Sequence, residues 1–286
     1  MIRYFVAIKK NYFDADAVKQ IFKKIFAKTC NLLIEPWRHL NDQPRLSILM
    51  YHSIGSGAKM SISAEKFEDQ MRYLSEGGYN VVTLGELLSQ KAPLSKWTIC
   101  ITFDDGFADN YGIAFPILKK LGLRATFFIC TGFVCGEHRI SESFKNYANL
   151  EPMTWDEIRS LASAGMEIGA HTHSHPNLYE IDGLEQNVEI IKSKAILEEK
   201  ISKPVNTFAI PFGGSGTYDN KTIGIVREHF RLCCTTHFST NVYPISKNFL
   251  ILNRVEIYPT DSLKIFNEKM FGKYDSLRFL QGKRKI

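Results

Sequence analysis

The 286-residue sequence has no apolar run approaching the roughly 20 residues that a membrane-spanning helix requires. Its opening stretch, Met1-Ile2-Arg3-Tyr4-Phe5-Val6-Ala7-Ile8-Lys9-Lys10, is too short in apolar residues before its lysines to read as a secretory signal. Cysteine is sparse: the six residues at 30, 100, 130, 135, 233 and 234 form neither a CxxC pair nor a zinc-finger spacing. Cys100 and Cys130 sit in apolar strand-like runs and read as reduced core packing, as does the vicinal pair Cys233-Cys234. No disulfides and a reducing compartment are expected. A Gly-x-Ser-x-Gly elbow is absent, which disfavours a serine hydrolase. Gly213-Gly214-Ser215-Gly216 lacks a Walker lysine and reads mainly as a turn. Without repeats, low-complexity tracts or long Gly/Ser linkers, the length fits one barrel-sized domain with extensions. The expectation is a cytoplasmic protein with no nucleic-acid partner.

Charge is distributed unevenly. Residues 1–40 hold eight Lys or Arg against three acids, a net of +5, and residues 278–286 add four basic groups. The total is +6, so the body between these ends carries −3. From Ala17 to Glu35, Ile21, Phe22, Ile25, Phe26, Leu32 and Leu33 recur near helical spacing, with Lys19, Lys23, Lys24 and Lys28 toward other faces. Such a basic amphipathic helix suits an anionic membrane surface, or equally a helix packed on the body with solvated lysines. A division into a basic helical extension over 1–43 and a catalytic body over 44–286 follows.

Within the body, two clusters carry chemistry. Thr102-Phe103-Asp104-Asp105-Gly106 places two adjacent acids after the apolar run Trp97 to Ile101. Alone, Asp-Asp-Gly is as well explained by a turn. The second cluster, Gly169-Ala170-His171-Thr172-His173-Ser174-His175-Pro176, follows another strand-like run and packs three histidines into five residues. His171 and His175 stand four apart, a spacing that lets both rings converge if the segment coils. Adding one aspartate oxygen gives two imidazoles and one carboxylate, the ligand set of an open catalytic site; a closed structural zinc site usually has thiolates. Metal-assisted hydrolysis is the natural reaction class. It needs a base, for which Asp104 beside the ligand Asp105 is the candidate.

Alternation of elements argues for α/β architecture with largely parallel strands. Helices are expected over Ser63–Gly77, from Leu84 to Leu88, Tyr111–Lys120, Thr154–Ala164 with a Thr154/Glu157 capping box, and Leu184–Glu199. Strands are expected over Tyr79–Thr83, Ala125–Cys130 and Asn206–Ile210.

The Asp104-Asp105 and His171-to-Pro176 motifs resemble the first two motifs of the polysaccharide deacetylases, carbohydrate esterase family 4. Gly78-Tyr79, Tyr111 to Leu118, Ala125 to Ile129, Met153-Thr154-Trp155 and Phe208 to Gly213 resemble that family too, over roughly residues 46–259. The resemblance implies a distorted (β/α) barrel of about seven strands, fewer than the eight of a regular barrel. It also implies N-deacetylation of an N-acetylated sugar, with Asp105, His171 and His175 on a divalent metal (zinc first, with cobalt, nickel or manganese compatible) and Asp104 as base. Phe212 matches the position whose backbone N–H helps hold the oxyanion.

Two departures stand out. Many members carry an arginine two residues before the third-motif proline, where this chain has Ala209. Many end in Leu-x-His, where this chain has Leu252-Asn253-Arg254. Ile48-Leu49-Met50-Tyr51-His52 resembles a circularly permuted subgroup with that last motif at the front, which makes His52 the expected general acid. Arg254 is expected at the substrate or in place of the absent arginine. The substrate expected is an N-acetylhexosamine, lipid-linked through a polyprenyl phosphate at the inner membrane face. A polymeric or soluble N-acetylglucosamine glycan is the second reading, and a catalytically idle sugar-binding relative the third.

Overall fold

The strands are β1 (Arg45–Tyr51), β2 (Asn80–Val81), β3 (Trp97–Phe103), β4 (Thr126–Ile129), β5 (Glu167–Ala170), β6 (Thr207–Ala209), β7 (Leu232–Phe238), β8 (Asn241–Val242) and β9 (Leu250–Glu256). Seven of them run parallel and close on themselves as a barrel in the order β1-β3-β4-β5-β6-β7-β9 and back to β1. Closure comes from β1, which pairs with β3 on one side and β9 on the other. Short β2 lies beside β3, and β8 runs antiparallel to the beginning of β1. This is the distorted (β/α) barrel expected from the sequence. The computed structural model describes residues 44–89, 97–137, 150–242 and 249–276. The basic helix expected within 1–43 and the basic residues of 278–286 lie outside them.

Helices return the chain between strands: α1 (Ala64–Glu76), α2 (Leu84–Ser89), α3 (Phe115–Lys120), α4 (Thr131–Val134), α5 (Trp155–Ser163), α6 (Gly183–Ile201), α7 (Asn220–His229) and α8 (Leu263–Met270). Their starts follow from capping chemistry. The Ser63 side chain accepts from the Lys66 N–H, and Thr154 with Glu157 and Asp182 with Glu185 form reciprocal capping boxes. One expectation needs correction. The helix anticipated from Tyr111 to Lys120 begins as a π-turn over Asn110–Ala114 before α3. Pro116 has no N–H to give to the preceding turn, so a regular α-ladder cannot run through this point.

Strand alternation sorts the core into two layers. Leu46, Ile48, Cys100, Phe128, Ala209, Leu232, Cys234 and Leu252 fill the barrel interior. Leu49, Phe67, Phe103, Phe127, Ile158, Phe208 and Cys233 belong to the larger layer between strands and helices. The vicinal cysteines thus face opposite layers, and all five cysteines among the described residues are free thiols. At the floor of the interior, the Glu167 carboxylate accepts from the Gly85 N–H at 2.7 Å and from the hydroxyls of Thr126 and Thr207 at 2.7 and 2.9 Å. Burial pushes its pKa up, against those hydrogen bonds. The polar floor leaves the opposite end, where the strand C-termini gather, for the site.

Space inside is tight where Phe128 crosses it. A Cβ on Gly169 would lie 2.5 Å from the Phe128 ring and 2.8 Å from the Thr207 hydroxyl. Gly169→Ala is therefore expected to destabilise the fold by about 1–3 kcal/mol through overpacking, read as a lowered midpoint in urea titration.

Candidate metal centre

Each candidate side chain stands just past the C-terminal end of a barrel strand or on its last turn. Asp104 and Asp105 follow β3, His171 to His175 follow β5, Phe212 follows β6, His52 follows β1, and Arg254 lies near the end of β9. β1 and β3 are in register to their last residues, Tyr51 opposite Phe103, and the Asp104 N–H donates to the Tyr51 carbonyl at 3.0 Å. His52 and Asp104 are thus lateral neighbours across adjacent strands.

Asp105, His171 and His175 converge: one ligand atom from each lies within 4.8 Å of the others, and all three residues are buried. Nε2 of His171 is 3.4 Å and Nε2 of His175 is 3.5 Å from Asp105 Oδ1. The rings do not meet by helical coiling, as their spacing suggested. The segment is non-helical, and Thr172 and His175 take positive φ of 62° and 59°. Asp105, at φ 75°, and Phe212, at φ 60°, are also left-handed. Such backbone is uncommon for residues with a Cβ and clusters where the surroundings enforce it. At Asp105 it ends strand alternation, so consecutive carboxylates both serve the mouth of the barrel.

Supporting contacts fix the tautomer and pose of the ligands. Nδ1–H of His171 donates to the Ala209 carbonyl at 2.8 Å, which turns Nε2 toward Asp105. The His175 N–H donates to the Thr172 hydroxyl at 3.1 Å. His173 lies outside the cluster. Its ring lies 2.9 Å from the Thr131 hydroxyl and 2.9 Å from a Glu137 oxygen, with Lys192 Nζ at 2.8 Å. From α6, Glu189 accepts from the N–H groups of His173 and Ser174, at 2.9 and 2.7 Å, and holds the turn closed.

These residues fit a small divalent cation. Both oxygens of buried Asp105 are without a hydrogen-bond donor, a costly state unless a cation compensates. Burial pushes the Asp105 carboxyl up, but His171, His175 and His52 outweigh it and hold the group well below the usual carboxylate range. Burial pushes His175 down to about 4, so its ring is neutral. Burial also lowers His171, but Asp104 and Asp105 reverse the sign and leave its pKa raised. Two imidazoles and a carboxylate suit zinc and other first-row divalent ions, and leave positions for water and substrate.

Asp104 has a different partner. Arg254 is 0% exposed and grips it in a fork, Nη1 donating to Oδ1 at 2.6 Å and Nη2 to Oδ2 at 2.7 Å. Nε of Arg254 donates to the Thr235 carbonyl at 3.1 Å, and the guanidinium lies 5.6 Å from the Phe128 ring centroid. The arginine is committed to the carboxylate from within the barrel, which places it away from a surface that a substrate could reach. Burial raises the Asp104 pKa, and Arg254 with His171 more than reverses this, so the carboxylate stays ionised. His52 acts electrostatically on Asp104, Asp105 and His175, which places it over the same mouth. The Phe212 ring packs edge-on to His175 at 4.8 Å between centroids. Two supports left no trace in the sequence, the Ala209 carbonyl and the Thr172 hydroxyl, because any residue supplies a carbonyl and threonines are common.

Three comparisons with known proteins bear on this arrangement. A family model described as polysaccharide deacetylase matches residues 91–229. YxkH of Bacillus subtilis, a provisionally assigned polysaccharide deacetylase, is 30% identical over 190 residues, 65% of this chain and 62% of that one. A poly-beta-1,6-N-acetyl-D-glucosamine N-deacetylase of Staphylococcus aureus is 32% identical over 164 residues, 54% of each chain. This chain therefore spans between half and two thirds of these relatives' lengths. Among solved structures, the Streptococcus pyogenes deacetylase PplD in complex with acetate superposes with a TM-score of 0.66 at 26% identity, over 80% of this chain and 99% of that one.

Two outcomes are expected. Cation uptake should weaken as pH falls through the raised His171 pKa, because a proton then occupies a ring that must be neutral to bind, and binding should release protons. Calorimetry in buffers of different ionisation heat measures that release. Arg254→Met strands a buried carboxylate and should cost about 3–5 kcal/mol near neutral pH. The depressed Asp104 pKa contributes stability above the unfolded carboxylate's pKa and loses it as pH falls through the folded value. The deficit should therefore shrink in acid, as denaturant titrations at two pH values would reveal.

Proposed function

This chain belongs to the polysaccharide deacetylase family, and on that footing we propose that it is a metal-dependent N-deacetylase that hydrolyses the acetamide of an N-acetylhexosamine. The observation that carries the reading is the buried Asp105, His171 and His175 cluster at the strand C-termini, beside an ionised Asp104. Asp105, His171 and His175 would hold a divalent cation there, which would supply Lewis acidity toward water and the acetamide carbonyl. Asp104, kept ionised and immobile by Arg254, accepts the proton of the attacking water. The Phe212 N–H is assigned to the developing oxyanion, presented by left-handed backbone. His52, on the neighbouring strand end, delivers a proton to the departing amine. Arg254 takes the tethering place that many family members fill from the third motif, where this chain has Ala209.

For the substrate, the Staphylococcus aureus relative, named for poly-beta-1,6-N-acetyl-D-glucosamine, supports a polymer of N-acetylglucosamine. A second reading rests on the net +5 of residues 1–40 and the four basic groups of 278–286. These suit a polyprenyl-phosphate-linked N-acetyl sugar, with the protein peripheral on the cytoplasmic membrane face, in modification of lipid A or another envelope glycan. Salt-sensitive co-sedimentation of the full chain with anionic vesicles, together with acetate release from the lipid-linked sugar exceeding that from the oligomer, would favour it.

Acetate release from zinc-loaded enzyme tests the activity itself. Asp104→Asn should retain the metal and lose about 10²–10⁴-fold in kcat, while His171→Ala should lose the metal. Turnover by Asp104→Asn at the unsubstituted rate would remove the base assignment.

A further inference from the structure

Asp109 and Asn110 lie in the turn that leaves β3, just after the acidic pair, and Asp109 is the residue immediately before the π-turn. Its backbone is already helical, with φ −65° and ψ −22°, so its carboxylate is not engaged as a cap. Both of its oxygens reach back to the chain that leaves β1: Oδ1 accepts from the Ile54 N–H at 3.1 Å and Oδ2 from the Ser53 hydroxyl at 2.5 Å. Asn110 does the same one residue on. Its Nδ2 donates to the His52 carbonyl at 2.7 Å and to Asp109 Oδ1 at 2.8 Å. Asn110 is fully buried, and its own Oδ1 has no hydrogen-bond partner. Together the two side chains hold three consecutive residues, His52, Ser53 and Ile54, more than fifty positions earlier in the chain.

The far side of that loop is fastened too. The Ser53 hydroxyl lies 2.6 Å from that of Ser56 and 3.0 Å from that of Ser61. Gly55 N–H donates to the Ile62 carbonyl at 2.7 Å, and Ile62 N–H to the Ser53 carbonyl at 3.1 Å. With the Asp104 N–H on the Tyr51 carbonyl, residues 51–54 are held at every step by the segment that carries the acidic pair. These bonds act on the backbone of residues 51–54 and on the Ser53 hydroxyl.

We infer that Asp109 and Asn110 are positioning residues that set His52 over the reacting centre, so that the β3 turn locates the acid as well as bearing the base. The inference rests on the reading of His52 as the general acid. In a barrel where that histidine comes from the first strand, the loop has no helix directly after it to define its exit, and the β3 turn takes that part.

Leaving-group dependence tests this. An amine must be protonated as it departs, whereas an activated phenolate leaves without an acid. Zinc-loaded wild type, His52→Ala, Asp109→Asn and Asn110→Ala would be assayed on an N-acetylglucosamine oligomer and on 4-nitrophenyl acetate, with zinc content and thermal melting measured for each. The expected result is a kcat loss at least about tenfold greater on the acetamide than on the aryl ester for all three variants, with KM and zinc content held. Combining Asp109→Asn with His52→Ala should add little to His52→Ala alone. Ser53→Ala, which cuts one link from the other side, should give a smaller loss of the same selectivity even if Asp109→Asn folds poorly. If His52→Ala slows both substrates equally, the acid assignment fails and the positioning role with it. If His52→Ala is selective while Asp109→Asn, Asn110→Ala and Ser53→Ala slow both substrates equally or neither, the positioning role alone is overturned.

Discussion

Two adjacent carboxylates buried at the mouth of a barrel must each find positive compensation, and the site is organised around that requirement. Leaving either bare would cost several kcal/mol or force it to take up a proton. The chain answers differently for each. Asp104 receives a guanidinium from inside the barrel, both oxygens in a planar fork. Asp105 faces two imidazoles and has no hydrogen-bond donor of its own, the condition of a ligand. One acid is thereby locked as an ionised base and its neighbour reserved for a cation, through environment alone.

Backbone geometry carries much of the cost. Of the five non-glycine residues with positive φ among the described residues, Asp105, Thr172, His175 and Phe212 stand in the site, and only Ser202, closing α6, does not. Left-handed turns directly after strand ends redirect side chains that regular alternation would send into the outer layer. The surrounding hydrogen bonds, from Ala209 and Thr172 to the Glu189 clamp, make those turns the best available state. Asp109 and Asn110 likewise spend their side chains on a distant loop.

Much of this was legible in the residues. Caps at Ser63, Thr154 and the glycines that close helices mark element boundaries, and the structure places helices between them. The acidic pair and the histidine cluster stood out because their residue types are poorly explained by packing. Other parts had no signal. Strand β7 reads Leu-Cys-Cys-Thr-Thr-His-Phe, buried on both faces and without the alternation that marks a half-exposed strand. Asp109 and Asn110 find their partners more than fifty positions earlier, which local pattern conceals.

By itself the sequence determined the ligand types, the alternation of strands and helices over much of the body, and the concentration of positive charge at the two ends, since these depend on side-chain chemistry and near neighbours. Tertiary closure decided which groups face each other. Arg254 meets Asp104 across 150 positions, and Asp109 meets Ser53 across 56, because β1 inserts between β3 and β9. No local propensity encodes such pairs. They exist only once the sheet has curled far enough for its first and last strands to exchange hydrogen bonds.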